Sequence, residues 1–324
     1  MKLRNYIINR KIVFSTQSEK SKKVTEKRQK FGIIFTFYLL PFTFKSSAAL
    51  RLCVLALIFS LPSLAQKIAI LTPDKNGQSE KFAEKLADSL SVTFRVLDSS
   101  LSETAFLSSN SEKPFNLTAE EAKIIGAAIG CEFFLLVRAE NLRRYSFEQK
   151  EYFESFATVY AVSSRTGRLV FWKLKTFNGY KSADAERLLF DSISELTTEI
   201  SDKLPNIAKE EFNEKVSKLE EIPDEKSFEA TNFRSPLPYK RMSPQYTALA
   251  NLYNIAATVD IEVDFDESGK ILRTKIVRWA GFGLDESVTE TVRKMNWRPA
   301  MRNEKTLPIR VLLRYNFKKL DKEE

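Results

Sequence analysis

Thr258-Val259-Asp260-Ile261-Glu262-Val263-Asp264-Phe265-Asp266-Glu267-Ser268-Gly269-Lys270-Ile271 is the stretch that decides how the carboxy-terminal part of the chain folds. Val259, Ile261, Val263 and Phe265 alternate with three acids, the period-two pattern of a half-buried strand over residues 258–265. Residues 266–269 carry turn chemistry and predict a reversal into a second strand over 271–277. Leu284, Val288, Val292 and Met295 then recur at spacings of four, four and three, which puts them on one face of a helix covering the sheet. Ile309, Val311, Leu313, Tyr315 and Phe317 alternate again, with Arg310, Arg314 and Asn316 facing the other way, so residues 307–317 are a final strand. Strand, turn, strand, helix, strand is the order of a small α+β domain.

The same segment resembles the carboxy-terminal domain of the TonB family. The residues that carry the resemblance are Pro244-Gln245-Tyr246-Thr247, Asp266-Glu267-Ser268-Gly269, Leu284-Asp285-Glu286, Trp297-Arg298-Pro299-Ala300 and the last strand ending in Phe317. Within that motif Pro244, Tyr246, Gly269, Leu284, Asp285, Trp297, Pro299 and Ala300 correspond to the family pattern. Departures are Thr247 in place of a proline, Ala256-Ala257 where a glycine is usual, and Glu304 in place of the glycine of the last turn. The chain also has no histidine and no long proline-rich spacer, both of which accompany energy transduction in that family. The resemblance implies recognition of an envelope protein, such as an outer-membrane TonB-dependent receptor, by addition of an extended partner strand to the sheet. The strand implied is 307–317, with Arg310, Leu312, Arg314 and Tyr315 as the partner-binding residues. An edge closed by the linker or by a second copy of the chain is the competing expectation.

Charge is unevenly distributed. The net charge is +9, but residues 1–65 hold twelve Lys or Arg against two Glu, leaving 39 basic and 40 acidic side chains in residues 66–324. The basic balance therefore belongs to the leader, and the remainder offers no electrostatic footprint for nucleic acid. In that leader Arg51 precedes the apolar residues 52–61, and Pro62-Ser63-Leu64-Ala65 follows, the pattern of an export signal cleaved after Ala65. The run is shorter than the roughly 20 apolar residues of a bilayer span. Cys53 lies inside it without the context of a lipoprotein site. A second apolar stretch, 31–44, follows a basic segment and leaves two readings open: a start codon placed too early, or a leader that holds the chain at the inner membrane facing the periplasm.

Four regions follow: leader 1–65, an α/β domain over 66–220, a linker over 221–242 and the TonB-like domain over 243–320. The α/β domain reads as strand 67–71, helix 79–90 with Phe82, Leu86 and Leu90 on one face, and strand 93–97. A helix capped by Thr118 with Glu121 at its third position comes next, then strand 132–137 and a hairpin of 152–163 with 169–177. These elements predict an α/β sandwich with a mixed sheet. Lys67-Ile68-Ala69-Ile70-Leu71, Ile129-Gly130-Cys131-Glu132-Phe133-Phe134, and Thr166-Gly167 before Trp172 resemble periplasmic TolB amino-terminal and CsgG-like domains. That likeness implies binding or assembly, including homo-oligomerisation. Residues 182–219 are helical in pattern, with Pro205 expected to divide them into two helices.

Chemistry-bearing patterns are few. Cys131 is the only cysteine after the leader, sits among apolar residues and has no histidine to activate it, so it reads as a core residue. Asp264-x-Asp266-x-Ser268-Gly269 matches the start of a calcium loop, but the twelfth position is Lys275 and the flanks are strands. Residues 72–77 join a strand to a helix without a phosphate-binding glycine pattern. No catalytic residue, metal site or cofactor is predicted. The reading is a non-enzymatic, exported envelope protein, with an assembly accessory that oligomerises through the α/β domain as the alternative.

Overall fold

Lys67–Leu71 (β1) is an almost wholly buried apolar strand, and a five-stranded sheet assembles around it in the order β2-β1-β3-β4-β5. The partners are Arg95–Val96 (β2), Phe133–Arg144 (β3), Tyr152–Ser163 (β4) and Leu169–Gly179 (β5). β1 runs parallel to β2 and β3, and β3, β4 and β5 are antiparallel neighbours, giving the mixed sheet expected. This computed structural model describes residues 65–318, apart from 146, 148–149, 215–218, 225 and 228–229; the leader readings on Arg51, Cys53 and the two apolar runs lie outside the described residues.

Helices Gly77–Leu90 (α1), Ser99–Ser108 (α2), Ala119–Ile129 (α3), Ser182–Asp191 (α4) and Ile193–Asn213 (α5) flank the sheet. One face buries Ile68, Ile70, Phe133, Leu135 and Val137 under Phe82, Leu86 and Leu90 of α1, Leu189 of α4, and Leu196, Ile200 and Leu204 of α5. Full burial of each large aliphatic or aromatic side chain contributes roughly 1.5–3 kcal/mol. Thr118 and Glu121 form the expected capping box at the start of α3. Helix α2 has no strong apolar period and was not expected; Asp98 caps it and Phe106 anchors it.

The division of the long helical segment differs from the sequence expectation. The break falls at Ser192, whose hydroxyl donates to the Leu189 carbonyl, while Pro205 lies inside α5. An internal proline costs ~3 kcal/mol, but Leu196, Ile200 and Leu204 are buried on its near side, and Glu211 is tied beyond it to Ser163 and Thr166. Both ends of α5 are held, so the helix runs through. β2 is shorter than expected and β3 longer, extending to Arg144 as a full partner of β4.

The carboxy-terminal lobe is the strand-turn-strand-helix-strand unit expected. Ala257–Phe265 (β9) and Ile271–Arg278 (β10) form the hairpin, Leu284–Lys294 (α7) packs on it, and Ile309–Phe317 (β14) lies antiparallel to β9. Ahead of them, Glu220–Glu221 (β6), Phe233–Arg234 (β7), Leu237–Pro238 (β8) and the short helix Ala248–Leu252 (α6) cross residues 220–252. Trp297–Arg298 (β11), Ala300–Arg302 (β12) and Lys305–Leu307 (β13) pair with β8, β7 and each other. Pro308 separates β13 from β14, so residues 307–317 are not one continuous strand. Met295 is buried just beyond α7 and not within it.

The second face of the five-stranded sheet is finished by this lobe. Ala69, Leu71, Phe134, Leu136, Tyr160 and Val162 share one apolar cluster with Leu117 just before α3, with Ile125 within it, and with Val259, Trp279, Phe282 and Val288 of the carboxy-terminal lobe. The Tyr160 and Trp279 rings lie 5.5 Å apart and those of Trp172 and Phe282 5.1 Å. Asn116 stitches the seam: its Nδ2 donates to the carbonyls of Trp279 (2.6 Å) and Thr258 (2.8 Å), and its Oδ1 accepts from Thr258 N (3.0 Å). The Tyr253 hydroxyl donates to Glu154 at 2.5 Å. Gly281, at φ +71°, passes so close to Trp172 that a Cβ would lie 2.6 Å from its indole nitrogen.

Candidate partner-binding edge

β14 contains all four residues singled out as partner contacts. It pairs with β9 through nine consecutive residues, Ile309 with Phe265 to Phe317 with Ala257, without a register shift. On its other side β6 alone among the described residues pairs with it, in parallel, at Ile309 and Arg310. From Val311 to Phe317 no strand among the described residues lies beside that edge.

Side chains sort by face as period two dictates. Val259, Ile261, Val263 and Phe265 of β9, with Ile309 and Val311 of β14, enter the core. The opposite face is a lattice of cross-strand ion pairs. Asp264 accepts a bidentate pair from Arg310, 2.6 Å from Nε and 3.0 Å from Nη2, and a further bond from Arg273 Nε at 3.2 Å. Asp260 repeats the arrangement one step along, with Arg314 at 2.6 and 2.8 Å and Arg278 at 3.2 Å. Both carboxylates are buried beneath their arginines. Burial alone would raise the Asp264 pKa, yet the two arginines overcome it and hold the carboxyl below its usual range; hydrogen bonding to Asp264 raises Arg310 in turn. Forked guanidinium pairing of this kind fixes geometry as well as charge.

Arg310 and Arg314 are thus engaged by Asp264 and Asp260. Leu312, 41% exposed, stands opposite Glu262 between them. Tyr315 is partly buried among apolar neighbours, and that burial raises its pKa. The sequence holds the signal for the lattice: acids at 260 and 264 face arginines at 310 and 314 once the strands are antiparallel in this register.

The motif residues build the scaffold behind the edge. The Tyr246 hydroxyl donates to the carbonyls of Ala250 (3.1 Å) and Ile255 (2.9 Å), and its ring stacks on Phe317. Thr247 caps α6 and donates to the Phe282 carbonyl at 2.7 Å. Gly269 has φ +84°, and a Cβ there would meet the Trp297 carbonyl at 2.5 Å, so the β9–β10 turn admits glycine alone. Trp297 packs on Phe265, and Ala300 is fully buried. Leu284 is buried, and Asp285 accepts from the amides of Ala280 and Gly281. Desolvation pushes the Asp285 pKa up to about 7 against the pull of those amides, and its remaining solvent contact tempers the effect. Asn303 and Glu304 both adopt positive φ in the last turn, where Glu304 replaces the family's glycine.

Elsewhere the chemistry is structural. Cys131 is buried near Ser164, and burial raises its thiol pKa. The Asp266 carboxylate caps its own turn through Ser268 and Lys270. No cluster of potential metal ligands occurs among the described residues. A cleft of about 530 Å³ opens at the seam, and among the charges that line it Arg138 pairs with Asp74 and Glu140, and Arg144 with Glu154.

The order of strands, the capped turn and the Tyr246 and Trp297 anchors together define the carboxy-terminal lobe. Residues 242–319 match the family of the Gram-negative bacterial TonB protein C-terminal. That family is one of non-enzymatic energy-transducer domains, and the match covers the carboxy-terminal lobe alone. No curated protein matches the chain. Among solved structures, lipoprotein GNA1162 from Neisseria meningitidis is similar at 16% identity, over 42% of this chain and 99% of that one, with a TM-score of 0.31. A PelC dodecamer from Paraburkholderia phytofirmans is similar at 10% identity over 40% and 87%, TM-score 0.25. A minor lipoprotein from Acinetobacter baumannii is similar at 9% identity over 44% and 95%, TM-score 0.24. No helix among the described residues is long and apolar enough to cross a membrane.

Proposed function

We propose that this is an exported envelope protein whose TonB-type domain captures an extended segment of an envelope partner on the open edge of β14. The observation that carries the reading is the contrast along one strand: β14 is fully paired with β9 on one side, and on the other no strand among the described residues pairs with Val311 to Phe317. A partner strand there would gain main-chain hydrogen bonds, with Leu312 and Arg314 on one face and Leu313 and Tyr315 on the other supplying selectivity. An outer-membrane receptor is the partner class that the family match favours. Export is the matching expectation for the leader, and amino-terminal sequencing of protein from the periplasmic fraction should begin at Gln66; an intact leader in the inner-membrane fraction would put the anchored arrangement in its place.

Titration of the full chain with a blocked alternating Thr-Val hexapeptide tests the edge. Binding is expected, and a Leu312→Pro variant, which keeps the Arg314–Asp260 pair, should lose it while near-ultraviolet circular dichroism still reports the packed aromatic cluster at Tyr160 and Trp172. Retained binding in that variant would overturn the assignment. A second reading, self-association through the α/β lobe, is favoured by the outer side of β5, an eleven-residue strand at the end of its sheet. Lys173 and Lys175 on that strand oppose it, since edge lysines discourage pairing with another chain. Light scattering at two concentrations would reveal such an oligomer.

A further inference from the structure

The edge that we assign to a partner already has an occupant at one end. β6 belongs to the segment between the lobes, yet it lies parallel to β14, placing Glu220 beside Ile309 and Glu221 beside Arg310. Three contacts hold it there. Glu220 accepts from Arg302 at 2.7 Å, Ile222 packs against the carboxy-terminal core, and Pro223 is buried. Glu221 also adds to the field that raises the Arg310 pKa, behind the stronger effect of Asp264.

The local sequence explains why this pairing is short. Proline has no amide hydrogen to offer a ladder, so Pro223 stops the pairing after two rungs, and the chain leaves before Val311. The polar contact among them is weak. The Glu220–Arg302 pair is partly exposed, and pairs of that kind contribute little. A strand held this lightly can be displaced by a longer one, but it is part of the same chain and so competes at a high effective concentration.

We propose that β6 is a built-in competitor for the β14 edge, an autoinhibitory contact that holds Ile309 and Arg310 and restricts an incoming strand to Val311–Phe317 until it is displaced. The inference rests on the strand-capture reading given above. A competing intramolecular state lowers apparent affinity by the fraction of molecules in which the edge is open. Release of β6 should therefore tighten capture of any strand long enough to reach Ile309.

Two substitutions at exposed positions release β6 without touching the core: Glu220→Lys, which repels Arg302, and Glu221→Pro, which breaks the second rung. The probes are an alternating Thr-Val decapeptide, long enough to cover Ile309–Phe317, and a synthetic peptide with the sequence of residues 219–224, each titrated into the full chain and both variants. The expected result is about tenfold tighter binding of the decapeptide by the variants, together with binding of the 219–224 peptide to the variants and not to the unaltered chain. Equal decapeptide affinity in all three proteins would overturn the competitor while leaving strand capture standing. Failure of either peptide to bind any of the three would overturn strand capture and the competitor with it.

Discussion

In the carboxy-terminal sheet, ordered β10-β9-β14-β6, the two strands that flank β9 have opposite character. β14 keeps one register with β9 through nine residues, whereas β10 shifts register twice, between Ile271 and Arg273 and again between Ile276 and Arg278. Such irregularities twist an edge away from further pairing. β10 also carries Arg273, Lys275 and Arg278, and Arg293 of α7 reaches to its Thr274 at 2.8 Å across a groove of about 560 Å³. At its far end Arg278 bridges to Thr118 of the α/β lobe, and Trp279 is buried in the seam. The comparison teaches that regularity and openness are separate properties of an edge, and that among the described residues β14 combines them from Val311 to Phe317 while β10 does not.

The comparison can be broken most severely at the seam that closes β10. Trp279→Ala removes a fully buried indole, and a loss of about 3–5 kcal/mol is expected in urea unfolding. Because the apolar cluster spans both lobes, the fluorescence and far-ultraviolet transitions should shift together. A shift confined to one of them would mean that the seam is not part of a common core.

A smaller loss should follow from loosening the arginine lattice behind β14. Arg310→Ala leaves Asp264 buried with Arg273 alone, and a cost on the order of 2 kcal/mol is expected. The Asp264 pKa is depressed in the folded chain, so the stability it contributes is present at neutral pH and is lost as pH falls through the folded value. The unaltered protein should therefore lose stability in acid more steeply than Arg310→Ala does, as read from urea midpoints between pH 5 and about 2.

Asp285 gives the opposite slope. Its folded pKa of about 7 lies above the ordinary 3.8, so its contribution is fully present below 3.8 and is lost as pH rises through 7. Asp285→Asn should flatten the pH dependence of the urea midpoint between 4 and 7; an unchanged slope would assign that dependence to other groups. The smallest stability effect belongs to Glu220→Lys, within about 1 kcal/mol as for other partly exposed pairs, despite its expected effect on strand capture.

Much of the carboxy-terminal lobe was legible because alternation in β9 and β14 and the four-four spacing of Leu284, Val288 and Val292 on α7 report burial directly. The Thr118 capping box was legible for the same local reason. Pro205 misled because the proline penalty is local, whereas the anchors at Leu204 and Glu211 that outweigh it come from the sheet and from the β4–β5 turn. The roles of Arg310 and Arg314 depend on register across 46 and 54 residues of sequence to Asp264 and Asp260. Single-strand periodicity places them on the polar face but does not name their partners. Trp279, Ala280 and Phe282 were the unused signal for the seam: an apolar, aromatic loop in a small domain needs a surface to cover it.

The central claim is that the open, regular edge of β14 receives the partner strand. Hydrogen–deuterium exchange of the full chain with and without the Thr-Val hexapeptide tests it most directly. Slower exchange in residues 311–317, with residues 271–278 of β10 unchanged, is the result expected. Protection of β10, or of neither strand while the peptide remains bound, would contradict it.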